Sequence, residues 1–567
     1  MNSQEAQYDE VYDLVVVGSG AAGMAAAITA SLGGLDVLII EKASQYGGTS
    51  AISGGASWIP NNPKMRAAGM QDSYDSAYIY IETLAGEYFK PELIQTFLEK
   101  GPEMVSFFES NTELRFQHRD YSPDYQSDKP GAATGGRTLD AALYDGRELK
   151  SHLADLCPPL GDITLFNGLM VNHDDFPHLF NVTRSIKSFW YVTRLLGNHI
   201  VSLLRYGRGT RLLFGQALVA RLAKTVFDRE IPLKLNTGLT DLIEEDGAVT
   251  GLVVEHQGQE MRLGARRGVV LASGGFSQSA EKRAARMPHV GGGAEHHTLV
   301  RSANIGEAQD AAVKVGAKDI SVSANAAFWM PVTLVTDGDE TVVPHTNLID
   351  RAKPGVIAVN EEGLRFTNEA ISYHNFGEAM IANGLKHAWL ICDQTMLKKF
   401  GLGAVRPAPI PYKKHLASGY LKHGETIAAL ASEIGVPANQ LSETLEGFNA
   451  DAAHGIDREF GKGSTAYQRL MGDPGHQPNE CLRPLEGPFY AVKLQHGDIG
   501  TACGLTANIH GQVLSERGLP IEGLYTCGNE MDSIMGGVYP GGGTTLGPGL
   551  TFAYIVGKHA AEQKSKQ

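Results

Sequence analysis

Apolar residues along this chain fall in short continuous runs more than in strict alternations. Asp13-Leu-Val-Val-Val-Gly18, Asp36-Val-Leu-Ile-Ile-Glu41, Arg267-Gly-Val-Val-Leu-Ala-Ser-Gly-Gly275 and Gly523-Leu-Tyr-Thr-Cys-Gly528 carry their apolar residues consecutively, as strands covered on both faces do. Between the first two runs, Gly20 to Leu32 is Ala-rich and predicts a helix. Ile231 to Thr250 predicts strands joined by a turn at Asp246-Gly247, and an apolar helix is expected over Leu550 to His559, with Pro548 suited to its first turn.

Strand, Gly turn, helix, strand at one end and strand, Gly turn at the other predict an α/β fold. A Rossmann-type nucleotide-binding domain is expected to use both chain ends, residues 1–327 and 487–567, with an α+β catalytic domain inserted at 328–486. Gly18-Ser-Gly20-Ala-Ala-Gly23 follows the first strand and opens the helix. Gly18 allows the tight turn, Gly20 lets backbone approach a pyrophosphate, and Gly23 allows close helix–strand packing. A pyrophosphate would then sit on the positive helix N-terminus. Glu41 closes the second strand at the spacing that places a carboxylate on a ribose hydroxyl.

NAD and FAD share this fingerprint, and two further Gly-rich platforms favour FAD. Gly47-Gly48-Thr49-Ser50-Ala-Ile-Ser53-Gly54-Gly55 would leave room for an isoalloxazine ring against backbone. Gly541-Gly-Gly543-Thr-Thr545-Leu546-Gly547-Pro-Gly549 leads into the C-terminal helix, whose N-terminus would stabilise a reduced, anionic flavin.

Composition narrows the partners. The 567 residues carry a net charge of −14, which argues against a nucleic-acid surface. Five scattered cysteines without a CxxC pair fit a reducing compartment and predict neither disulfides nor a metal site. The first twelve residues lack a basic and an apolar leader region, and no apolar run reaches 18 residues, so a cytoplasmic location without transmembrane helices is expected.

The segment Gly47 to Gly55, followed by Trp58-Ile-Pro-Asn-Asn62, resembles the 3-ketosteroid Δ1-dehydrogenases, members of the wider fumarate reductase and succinate dehydrogenase flavoprotein superfamily. The likeness continues through Asp124-Tyr125 with Pro130-Gly131, Arg365-Phe-Thr-Asn-Glu369 with Tyr373, and Val538-Tyr539-Pro540-Gly541. Fumarate reductases are similar up to the Arg-Phe-x-Asn-Glu segment, then place a proton-donating Arg where this chain has Tyr373. Their substrate-clamping Arg and His fall at Thr545 and Gly500. A dicarboxylate would lose charge-assisted hydrogen bonds of about 1.5–3 kcal/mol each at those positions, so it is not the expected substrate.

The resemblance implies FAD-dependent desaturation of a ring ketone next to its carbonyl. Tyr373 would take the α-proton as tyrosinate, Tyr125 would support it, and Tyr539 with the Gly543 N–H would hold the enolate oxygen. Tyr121 rivals Tyr125 for the supporting place. FAD would contact Gly18, Gly20, Ala22, Gly23, Glu41, Lys42, Gly48, Thr49, Ser50, Ser53, Gly54, Gly55, Gly274, Asn529, Thr545 and Leu546. The His that carries covalent flavin in some relatives aligns with Gly48, which implies non-covalent FAD. Arg365 and Glu369 read as a structural ion pair, and His345, His374 and His496 as surface or supporting histidines.

The expected partners are a small lipophilic ketone and an electron acceptor, with an oligomer left open. Alternatives are a smaller cyclic ketone as substrate, a fumarate-reductase-like enoate reductase, or a flavoprotein without catalysis. Pro158 to Leu213 is long, apolar and basic, with only positive charges from Arg184 through Arg211. It suits peripheral contact with anionic lipid at the inner face of the membrane; the competing reading is a helical hairpin packed on the FAD domain, with a subunit interface.

Overall fold

The computed structural model describes residues 8–161, 164–166, 168–318, 323–336 and 342–563. Residues 1–7 of the polar N-terminus and residues 162, 163 and 167 of the apolar, basic segment lie outside the described residues.

The fold is α/β, and its main sheet has eight strands. Five of them run parallel, in the order Leu233–Lys234, Val37–Ile40, Glu10–Val17, Gln259–Leu271, Pro520–Thr526. Val17 pairs with Ile40 on one side and Leu271 on the other, and Leu271 pairs with Thr526. The strand C-termini therefore end level, and the Gly turns after three of them open on one edge, where ligands of such sheets bind.

The continuous apolar runs follow from cover on both faces. Leu14 and Val16 pack under the helices Ala21–Leu32 and Leu546–Glu562, while Val15 and Val17 face Leu239, Leu242 and Ala311 on the other side. All four are at most 6% exposed. The hairpin Thr237–Glu245 and Ala248–His256 turns at Asp246-Gly247, both at positive φ, as the sequence suggests.

The C-terminal helix starts at Leu546, four residues before the apolar pattern does. Gly547, Pro548 and Gly549 disguise its first turn as a loop. Pro is tolerated there because first-turn N–H groups have no partner within the helix. Gly547 is required by close approach: a Cβ would lie 2.2 Å from the Trp58 carbonyl oxygen.

A second sheet, four-stranded and antiparallel, runs Val356–Val359, Ala388–Asp393, Phe489–Leu494, Lys422–Gly424. One face buries Phe376 and Met380 of the helix Tyr373–Ala382 against Val356, Leu390 and Val492. The other carries the helices Ile427–Ile434 and Ala438–Ala452.

The helix Ile186–Tyr206 is built inside out. Its buried residues are Ser188, Val192, His199 and Ser202, whereas Ile186, Trp190, Val201 and Leu204 are 60–84% exposed. Polar contacts hold it down: Tyr191 donates to the fully buried Asp175, which also pairs with Arg211 at 2.8 Å, and His199 Nε2 meets the Phe166 carbonyl at 2.9 Å. The helix thus packs by its polar face, next to the short helix Phe176–Phe180, and turns its apolar stripe outward. Among the described residues no helix is long and apolar enough to cross a membrane.

Candidate active site

A cavity of about 450 Å³ opens where the parallel strands end. Its floor is Gly18 to Ala22, Glu41 and Lys42; Gly48 to Ser50 and Ser53 to Ala56 form one wall, and Gly274, Asn529, Thr545 and Leu546 another. The helix Ala21–Leu32 begins at Gly20, which offers no side-chain cap. Its first N–H, of Ala21, donates to the Ser50 hydroxyl at 3.1 Å, and a Cβ at Gly20 would meet only that same hydroxyl, 3.5 Å away. Glu41 accepts the Ser19 N–H at 3.0 Å, the Ser19 hydroxyl at 2.5 Å and the Ala43 N–H at 2.9 Å. A helix terminus that favours anionic phosphate and an oriented carboxylate beside it fit the pyrophosphate and ribose of FAD.

Gly23 is the one expected cofactor residue that does not line the cavity. It faces the strand, where a Cβ would stand 2.0 Å from the Gly18 carbonyl oxygen. Its place in the fingerprint is packing, not contact.

Tyr125, Tyr373 and Tyr539 converge on the same cavity with Gly543. Their ring centroids lie 5.4–5.6 Å apart, with Tyr125 stacked on Tyr539 and Tyr373 edge-on to both. The Tyr125 hydroxyl donates to the Tyr373 oxygen at 3.2 Å. Tyr121, by contrast, is 55% exposed and does not line the cavity. The motif residue before Tyr125 explains the choice. Asp124 accepts from the Trp58 indole at 2.8 Å and from Arg137 at 2.7 Å, both buried, and fixes the loop so that its neighbour turns inward.

Tyr373 is the first residue of its helix, which Ser372 caps by accepting the Asn375 N–H. The helix N-terminus favours negative charge there. Against this, burial pushes the Tyr373 hydroxyl well above the ordinary phenol range. Burial also raises Tyr539, while Tyr373, Thr545 and the Gly543 N–H pull it back. Phenols in such contact titrate as a group, so the first proton lost belongs to the cluster and not to one residue.

Residues 13–546 match the family model described as FAD binding domain. The chain belongs to that flavoprotein family. It is 38% identical to the 4-oxocyclohex-2-ene-1-carboxylate 5-dehydrogenase of Sinomonas cyclohexanicum, over 98% of this chain and 94% of that protein. It is 34% identical to the 3-oxosteroid 1-dehydrogenase of Mycobacterium tuberculosis strain H37Rv, over 98% and 99%. The fold matches the crystal structure of 3-ketosteroid Δ1-dehydrogenase from Sterolibacterium denitrificans in complex with 1,4-androstadiene-3,17-dione, at 35% identity and a TM-score of 0.89, over 98% of this chain and all of that one. The protein is an FAD-dependent oxidoreductase.

Several residues of the flavoprotein's cavity gave no signal in the sequence. Arg119, held bidentate by Asp140 at 2.7 Å, lines it beside the tyrosines, and Leu299, Met330, Leu348 and Ile499 give it an apolar wall. Arg301 lines it as well, with its N–H on the Thr49 hydroxyl at 3.3 Å. No local pattern marks single residues that arrive from distant loops. Arg365 is at home in a buried ionic network, bidentate to Glu369 at 2.8–2.9 Å and to Asp457 at 2.9–3.0 Å. His374 and His496 are buried, not on the surface; His374 accepts the Trp329 N–H at 3.0 Å and His496 meets the Leu385 carbonyl at 2.6 Å.

Proposed function

We propose that this flavoprotein desaturates 3-ketosteroids next to the ring carbonyl. The observation that carries this is the convergence of three phenols and the Gly543 N–H on one wall of the flavin cavity. The Tyr539 hydroxyl and the Gly543 N–H receive the ketone oxygen and stabilise it as an enolate. Tyr373, as tyrosinate, removes the α-proton. Tyr125 donates to the Tyr373 oxygen and spreads its charge. FAD, when bound, accepts the β-hydride. It is held without a covalent bond, because Gly48 offers no nucleophile; acid precipitation should leave the flavin in the supernatant.

Arg119 on the cavity supports a second reading, a smaller ring ketone bearing a carboxylate, as in the Sinomonas relative's name. Tyr373, Thr545 and Gly500, all lining the cavity, leave the fumarate reductases' charged positions neutral and speak against a dicarboxylate. Mixing the enzyme anaerobically with a 3-ketosteroid, 4-oxocyclohexanecarboxylate or succinate separates these readings by flavin bleaching. Bleaching by the steroid is expected. Bleaching by the keto acid alone would favour the second reading, and bleaching by succinate alone would sink both.

The exposed apolar stripe of the helix Ile186–Tyr206, flanked by the exposed cations Arg184, Lys187, Arg194 and Arg205, supports peripheral contact with anionic lipid. A lipophilic substrate partitions into that phase.

A further inference from the structure

A buried cation lies behind the tyrosine cluster. Arg351 is 1% exposed, and among the described residues its guanidinium hydrogen-bonds only backbone carbonyls: Asn347 at 3.3 Å, Glu369 at 2.8 Å and Ile371 at 3.2 Å. It also lies over the Phe376 ring, 4.6 Å from the centroid. A desolvated guanidinium normally pairs with a carboxylate, since removal from water costs several kcal/mol. Here the adjacent carboxylates face Arg351 without hydrogen-bonding it. Glu369 is taken by Arg365 and the Ala358 N–H, and Asp350 by the Gly403 N–H at 2.6 Å.

We propose that Arg351 is a positioning residue for the Tyr373 base: it ties down the carbonyls of the loop that delivers Tyr373, and its charge, which no carboxylate hydrogen-bonds, favours phenolate in the tyrosine cluster. The inference rests on the proposed role of Tyr373.

Three observations converge on it. The anchored carbonyls belong to Glu369 and Ile371, four and two residues before Tyr373. Phe376, which carries the guanidinium on its ring, is one turn along the helix that Tyr373 begins. On its cluster side, Arg351 draws the Tyr467 hydroxyl downward against burial, and the Tyr467 ring lies 4.7 Å from that of Tyr125. The charge thus stands behind the tyrosine cluster with Tyr467 between them, in buried surroundings that screen it far less than water does. The groups facing Tyr373 are Tyr125, Tyr539 and Arg119; those facing Arg351 are Asp350, Glu369 and Tyr467. Arg119 is bidentate to Asp140, whereas Arg351 hydrogen-bonds no carboxylate and only faces Asp350 and Glu369.

The test separates charge from anchoring. Arg351→Gln keeps N–H donors for the carbonyls and removes the charge; Arg351→Lys keeps the charge. Anaerobic flavin reduction by a 3-ketosteroid is followed against pH in holoenzyme, together with the ultraviolet tyrosinate band. Below its midpoint the rate follows the tyrosinate fraction, so each unit of upward shift costs about tenfold at neutral pH. The expected result is a midpoint at least about one unit higher in Arg351→Gln, with steroid affinity little changed, and a near wild-type midpoint in Arg351→Lys. A wild-type midpoint in Arg351→Gln would overturn the proposal, as would loss of bound FAD in both variants. A pH profile that survives Tyr373→Phe would remove the base assignment itself, a separate failure.

Discussion

A phenol is a poor base in water because so little of it is ionised at neutral pH. Burial makes matters worse at Tyr373, and its hydroxyl contacts those of Tyr125 and Tyr539, so one negative charge is spread over the group. Tyr539 is drawn back down by Tyr373, Thr545 and the Gly543 N–H, which suits a donor to a ketone oxygen. Tyr539→Phe removes that donor and leaves the ring packed on Tyr125. Its kcat should fall by roughly 10²–10³, as for other oxyanion donors, with FAD content unchanged. A near wild-type kcat, or a variant purified without flavin, would make Tyr539 structural. Not every residue choice could be made from sequence. Tyr121 and Tyr125 sit in one irregular stretch, and what separates them is the buried Trp58–Asp124–Arg137 network, which ties that stretch to Trp58, 66 residues before Asp124.

Elements differ in how plainly they announce themselves. The strand Glu10–Val17 is legible because both its faces need apolar residues. The C-terminal helix is legible only from its second turn, since close approach to Trp58 imposes residues that read as loop. Periodicity locates the amphipathic stripe of Ile186–Tyr206 but cannot say which face points inward; tertiary hydrogen bonds to Asp175 and Phe166 decide that. Outward, the stripe meets cations, and each one near an anionic membrane adds about 1 kcal/mol. The protein should therefore sediment with vesicles rich in anionic phospholipid and detach as salt rises. Trp190→Glu with Leu204→Glu should abolish sedimentation and leave turnover of a dissolved ketone unchanged. Equal binding to zwitterionic vesicles, or loss of a dimer in place of lipid binding, would contradict the reading.

At the scale of the molecule, the site exists because segments hundreds of residues apart end at one sheet edge. The first Gly-rich turn comes from the first strand, Asn529 from the last, and Tyr373 from a helix packed on a different sheet. The cofactor half was readable because Gly-rich turns after apolar strands carry a local pattern. Arg119 and Arg351 were not, because what makes each matter is a contact across the fold. Tyr373 joins the two halves, so it carries the central claim. In anaerobic single turnovers with a 3-ketosteroid, wild-type flavin reduction should speed up as pH rises, because the reactive form is the deprotonated phenol whose titration burial has moved upward. Tyr373→Phe keeps the ring and removes the base. Its flavin reduction should be slower by roughly 10²–10⁴ and flat with pH, while steroid binding and FAD content persist. Flavin reduction in Tyr373→Phe at the wild-type rate, or with the wild-type pH dependence, would contradict the account.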